Sequence, residues 1–254
     1  MSTYKDKLYF NYNGKSSKDF GIISVVMDNG MFEETLVADR KIEETKLPKR
    51  LKPFFRRIDE ESLEFDLIIA FEEGFNNEMI RDVIDWLFVD FYKTLYFEEE
   101  NTKLYRCMPV SSSSIVHNGL EQGYVTLTMR CDSPRVYAPI KKIELPKSGS
   151  PVITTITNDG SDIVKLYIKM DNVNAGLSTL SNNGYKVDVR GLQAGESLII
   201  DTEYELIESN LDGVYHYNDI IGDLRKLSLQ KGTNKYEFSG TADYTIYYQL
   251  QYKW

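Results

Sequence analysis

Histidine and cysteine are almost missing from these 254 residues, which hold only His117, His216, Cys107 and Cys131. Sites built on imidazole or thiolate need those groups at short, fixed spacings, and neither C-x-x-C nor H-E-x-x-H occurs. Asp171-Asn172-Val173-Asn174-Ala175-Gly176 has the outline of a calcium loop. It places Val173 and Ala175 where oxygen ligands are needed and Asn182 where the closing glutamate belongs, so a turn is the better reading. The phosphate-cradling patterns GxxxxGK[ST] and GxGxxG are absent too. His117 follows Ser111–Ser114, yet no GxSxG elbow or strand–turn–helix context accompanies it. No catalytic, cofactor-binding or metal-ligating residue is assigned, and the chain is expected not to be an enzyme.

Two further shortages narrow the field. No apolar run approaches the roughly 20 residues that cross a bilayer, and the first seven residues carry no signal-like apolar segment. The expectation is synthesis in a cytoplasm, no membrane partner, and two buried, reduced cysteines rather than a disulfide. Positive charge is also in deficit. With 30 basic against 39 acidic residues the net charge is −9, divided about −6 over residues 1–139 and −3 over 140–254. That balance argues against a clamp on nucleic acid.

What the sequence does have is tyrosine, 18 in all, and segments that alternate with a period of two. In 124–131, Val125, Leu127, Met129 and Cys131 face one way and Tyr124, Thr126, Thr128 and Arg130 the other, the pattern of a half-buried strand. Asp132-Ser133-Pro134 ends it, and prolines at 139, 146 and 151 follow, so a connector is expected here. Upstream, strands are expected over 7–13, 21–27, 62–71, 94–97 and 103–110. Asp28-Asn29-Gly30 reads as a hairpin turn with 32–36 as its returning arm.

Residues 76–92 form the one convincing helix. An Asn76 or Asn77 cap precedes Ile80, Val83, Ile84, Leu87 and Phe91 at helical spacing, widened by Met79 and Trp86. A stripe so broad must lie across a sheet. The charged stretch 39–61 is the least globular part. Lys46, Lys49, Arg50, Lys52, Arg56 and Arg57 suggest a basic patch, but Glu43, Glu44, Asp59, Glu60 and Glu61 suit a solvated hairpin loop better. Phe54 and Phe55 inside it need a surface to dock on, in their own domain or on a neighbouring subunit.

After the connector the pattern changes. Eight short strands are expected, over 152–158, 164–170, 185–189, 197–201, 204–208, 226–229, 234–238 and 244–254. Turn signals such as Asn182-Asn183-Gly184 separate them, which reads as a sandwich or jelly roll. In 244–254 the even-numbered residues are the inward set, leaving Tyr247 as the lone outward aromatic.

Four stretches, taken together, resemble a known family: FNYNGKSSKDFGIISV; NNEMIRDVIDWLF with TLYFEEENTKLYRCMPV; GYVTLTMRCDSPRVYAP, with its Cys-x-x-Pro-x-x-Tyr ending; and SLIIDTEYELI with LSLQKGTNKYEFSGTADYTIYYQLQYKW. In order and spacing the chain is similar to the distal tail proteins of siphophages, the baseplate hub of long non-contractile tails. The resemblance implies a mainly β protein with a ring-forming α+β domain over 1–139 and a galectin-like β-sandwich over 140–254. It further implies a virion component with no cofactor, made in the host cytoplasm. Its partners would be itself, as a homo-hexamer or double ring, the tail tube protein, and a tail-associated or receptor-binding protein. DNA would pass through the lumen without specific binding. The arm carrying Phe54 and Phe55 would contact the next subunit. The alternative is a carbohydrate-binding module or adhesin using Tyr247 in the C-terminal sandwich, since fold does not fix function.

Overall fold

The protein is described by a computed structural model covering residues 7–26, 35, 37–111, 114–119, 122–147, 151–239 and 242–253. The expected turn at Asp28-Asn29-Gly30 and nearly all of the returning arm 32–36 lie outside the described residues. The chain divides into two compact units, Met1–Tyr137 with Lys253–Trp254, and Ala138–Tyr252.

The first unit contains β1 (Phe10–Tyr12), β2 (Lys15–Ser16), β3 (Ile22–Ser24), β4 (Arg40–Thr45), β5 (Phe54–Glu60), β6 (Glu64–Phe71), helix α1 (Asn77–Leu87), β7 (Lys93–Phe97), β8 (Glu100–Pro109), β9 (Ile115–His117), β10 (Gly123–Cys131) and β11 (Val136–Tyr137). An antiparallel sheet runs β2-β1-β7-β8-β10-β6-β3, with β9 on β10 and β11 on β8, while β4 and β5 form a separate hairpin. The alternation in β10 sets its register. Val125, Leu127 and Met129 lie opposite Ile69, Leu67 and Phe65 of β6, and Cys131 lies opposite Cys107 of β8. Both cysteines are free and buried.

Between β2 and β3 a 3-10 turn, Ser17–Phe20, starts at a capping box of Ser16 with Asp19 and ends on Gly21 in the left-handed region, φ 60°. This orders the Ser-Lys-Asp segment and presents Phe20 to the helix. Asn76 caps α1 by accepting hydrogen bonds from the N–H groups of Glu78 and Met79, which satisfies donors left over at a helix start.

Trp86 fastens the helix to the sheet. Its ring stacks on Phe20 at 4.2 Å and Phe10 at 5.7 Å, and its Nε1 donates to the Tyr12 carbonyl at 2.8 Å. Here the structure corrects the expected stripe. The helix stops at Leu87 rather than 92, and its buried residues are Val83, Trp86 and Leu87. Ile84 is 47 % exposed, Phe88 42 % and Phe91 69 %. Trp86 draws α1 toward the β1 side, so a period of 3.6 identifies the apolar face but not how much of it the sheet covers.

The second unit contains β12 (Lys141–Leu145), β13 (Val152–Asn158), β14 (Leu166–Asp171), β15 (Gly176–Asn182), β16 (Tyr185–Leu192), β17 (Leu198–Asp201), β18 (Leu206–Ser209), β19 (Ile220–Ile221), β20 (Gly232–Phe238), β21 (Asp243–Tyr248) and β22 (Gln251–Tyr252). Two antiparallel sheets, β12-β21-β14-β17-β18 and β13-β20-β15-β16-β19, form a sandwich. The core includes Leu166, Ile168 and Met170 of one sheet, and Leu180, Val187 and Phe238 of the other. Between β15 and β16, Asn183 and Gly184 supply the two positive φ angles, 49° and 86°, that a tight hairpin turn requires.

Several expectations change. Residues 141–145, read as part of the connector, are a strand on β21. Residues 176–182, where no strand was expected, pair with β16 and β20. Residues 224–227 form a 3-10 turn where a strand was expected. The final strand breaks after Tyr248, and Leu250, 1 % exposed, turns into the core between the two pieces.

Candidate functional site

The arm is the first candidate. β4 and β5 pair from Arg40↔Glu60 to Thr45↔Phe54, with a bulge at Glu43/Glu44. Its root is fixed by charge. The Glu60 carboxylate meets Arg135 at 2.5 Å, Arg40 at 3.4 Å and Lys253 at 3.6 Å. The hydrogen bond from Arg135 is the largest influence, and it holds the Glu60 carboxyl below the usual range. Higher up, Arg57 pairs with Glu43 and Asp59, and Lys41 with Glu61. The charges of the two strands thus neutralise each other, as a solvated hairpin requires.

The tip differs from the root. Residues 46–57 hold six basic residues and no acidic one. Lys49, Lys52 and Arg56 make no ion pair among the described residues. The Arg50 guanidinium sits 4.1 Å above the Phe54 ring. Phe54 is 46 % exposed and Phe55 64 %, with Leu47 and Leu51 exposed beside them. The two phenylalanines are therefore only partly covered, Phe54 by Arg50 on one side of its ring.

In the second unit, Tyr247 has an aromatic neighbour on the adjacent strand. The pairing of β14 with β21 sets Tyr167 opposite it, with ring centroids 5.9 Å apart and planes 69° apart. One strand's alternation cannot reveal its neighbour. Tyr167 and Tyr247 border a cleft of about 160 Å³ that also holds Lys165, Asp201, Glu203 and Gln249. Rings nearly perpendicular to each other do not make one flat platform.

The sequence reading missed one buried charge cluster. Glu196 is 0 % exposed and His216 2 %. Glu196 Oε2 accepts from the Gln193 N–H at 2.9 Å, and Oε1 accepts from the Ser209 hydroxyl at 2.5 Å and lies 2.7 Å from His216 Nε2. His216 Nδ1 faces Asp219 at 3.2 Å. Burial pushes the Glu196 carboxyl upward, but the hydrogen bonds outweigh it and the net shift is downward. The cluster ties the turn before β17 to the segment between β18 and β19. With Glu196 and His216 buried and bonded to groups from both segments, it has the character of a structural clasp. Among the described residues no group of three or more His, Cys, Asp or Glu side chains is arranged to hold a metal ion.

The geometry has known counterparts. A family model described as phage tail protein N-terminal domain matches residues 5–133. The sequence is 25% identical over 262 residues, 98% of this chain and 99% of the relative, to the SPbeta prophage-derived uncharacterized protein YomH of Bacillus subtilis (strain 168). The fold resembles the crystal structure of SPP1 Dit (gp 19.1), described as a paradigm of the hub adsorption apparatus in phages infecting Gram-positive bacteria. The TM-score is 0.70 at 15% identity, covering 96% of this chain and 99% of that one. A chain of the phage p2 baseplate in its activated conformation with Ca matches at a TM-score of 0.57 and 7% identity, covering 98% and 99%. At such identities the structural likeness speaks for the fold.

Proposed function

The chain belongs to the family of phage tail proteins that share this N-terminal domain, and from that premise we propose that it is a distal tail protein, a structural hub at the tip of a long non-contractile tail. The observation that carries this reading is the fold shared with SPP1 Dit over nearly the full length of both chains. Six copies form a ring through the first unit, joining the tail tube to the adsorption apparatus, and DNA passes through the lumen. The acidic balance of residues 1–139 supports a channel wall, because phosphates adhere through Lys and Arg. The second unit, a galectin-like sandwich, serves as a docking or spacing module. The protein works by assembly rather than by catalysis and resides in the virion after synthesis in the host cytoplasm.

Negative-stain electron microscopy and native mass spectrometry of the purified chain test this reading. Six-fold rings or double rings are expected. A strict monomer at high concentration, and in the presence of the tail tube protein, would overturn it.

The second reading, glycan binding through the sandwich, is favoured by the Tyr167–Tyr247 cleft with Asp201 and Glu203 at its edge. It requires binding on a glycan array that Tyr247→Ala abolishes, and a silent array refutes it.

A further inference from the structure

The helix α1 covers only part of the sheet, and the uncovered part forms a groove. Ile80, Ile84 and Phe88 line one wall, Ile69 and Phe71 of β6 with Ile115 of β9 line the other, and the groove measures about 410 Å³. A cavity of about 150 Å³ accommodates one benzene molecule, so this groove has room for two phenyl rings. An apolar groove with the exposed Ile84 and Phe88 in its wall is costly to leave in water and calls for an occupant.

Charge distinguishes among occupants. Residues 72–90, which contain α1 and its flanks, hold six acidic residues, Glu72, Glu73, Glu78, Asp82, Asp85 and Asp90, against Arg81 alone. The groove is therefore apolar inside, and the helix that forms one wall carries Glu78, Asp82 and Asp85 exposed on its surface against Arg81. The arm tip has the opposite character, with two exposed phenylalanines among six basic residues. A patch on one face that complements a pocket elsewhere on the same molecule makes a head-to-tail contact, which closes into a ring when the rotation allows.

We propose that the α1 groove of one copy receives Phe54 and Phe55 from the arm of a second copy, steered by the basic tip and the acidic helix. The inference deepens the ring reading and rests on it for its symmetry. Phe54 and Phe55 are the aromatic anchors of the contact, and Lys49, Lys52 and Arg56 supply its orientation and salt dependence.

Disulfide trapping tests it on the full chain, because Cys107 and Cys131 are buried and contribute little background. Phe55→Cys and Ile84→Cys are made as separate variants, mixed and oxidised with copper phenanthroline. A linked dimer is expected from the mixture and not from either variant alone, and the Phe55→Cys/Ile84→Cys double variant is expected to give a ladder of linked oligomers. An intramolecular link in the double variant would make the occupant the chain's own arm and overturn the proposal. A linked dimer from the Phe55→Cys variant alone, or a yield no higher than with the exposed control Tyr215→Cys, would also overturn it.

Charge reversal gives a second readout with the groove left whole. Arg56→Glu should lower association roughly tenfold or more, and Asp85→Arg in the partner should restore it. Failure of rescue would argue against the proposed steering. Rings that form without the 55–84 link refute the groove contact and leave the ring reading standing. Linked chains that never close refute the ring and leave the contact standing.

Discussion

Replacing Glu196 with glutamine removes one charge and almost no volume, so it isolates what that charge does inside the sandwich. The carboxylate, fully buried, accepts from Gln193 N–H, the Ser209 hydroxyl and His216 Nε2. Hydrogen bonds to a charged group contribute about 1.5–3 kcal/mol each, against about 1 for neutral ones. Glutamine keeps one carbonyl acceptor and turns the other position into a donor. With the amide nitrogen at the Oε1 position both Ser209 and His216 must become acceptors, and with it at the Oε2 position the Gln193 N–H loses its acceptor. The expected loss is about 2 kcal/mol, roughly a 30-fold fall in the folded-to-unfolded ratio of this unit.

The assay is urea unfolding followed by two signals in a Trp254→Phe background. Trp86 fluorescence reports the first unit, and far-UV circular dichroism reports both. The dichroism transition should move to lower urea while the Trp86 transition stays in place. The pH dependence follows from the sign of the shift. Glu196 has a folded pKa below its unfolded value, so its stabilisation is present above the unfolded value, about 4.3. It is lost as pH falls through the folded value. The gap between wild type and Glu196→Gln should therefore narrow as pH drops below about 4. A gap of the same size at pH 7 and pH 3, or an unshifted dichroism transition, would refute the assignment of a stabilising buried charge.

Trp86→Ala should destabilise the first unit by about 3–5 kcal/mol, because it empties the space between Phe10 and Phe20 and removes the bond to the Tyr12 carbonyl; thermal unfolding by calorimetry checks this. Cys107 and Cys131 should resist thiol reagents in the folded protein and react on unfolding, since burial is the first cause that pushes the Cys107 thiol up. Glu60 anchors the arm with a depressed folded pKa, so that anchoring holds above the unfolded carboxylate value and is lost as pH falls through the folded one; the hydrogen-exchange protection factors at the root of β5, taken against the intrinsic rate at each pH, should fall on acidification, and at neutral pH in Glu60→Gln. Gly222→Ala should destabilise the β16–β19 pairing: at φ 122° a new Cβ would approach the Lys186 carbonyl oxygen to 2.7 Å, and exchange at Val189 reports the loss.

Local pattern carried the reading furthest where one strand or turn decides its own structure. The alternation of Val125, Leu127 and Met129, the cap at Asn76 and the Asn183-Gly184 turn appear at the expected places, because each rests on bonding and sterics within a few residues. Phe54 and Phe55 stood out because their surroundings are so polar, and they are 46 % and 64 % exposed. Strand 141–145 escaped notice because the prolines around it imitate a connector while its partner β21 lies far along the chain, and strand 176–182 because its glycine, serine and asparagine residues imitate a turn.

By itself, the sequence determined where apolar faces exist, which segments alternate, and that two phenylalanines stand inside a charged stretch. Periodicity measures only the face a segment offers. Whether that face is covered depends on groups far away in sequence: Trp86 settling between Phe10 and Phe20 leaves Ile84 and Phe88 at an open groove. Strand pairing likewise sets Tyr167 beside Tyr247, and loop packing closes His216 over Glu196. Those outcomes belong to the tertiary structure, because burial and charge pairing are properties of neighbours in space.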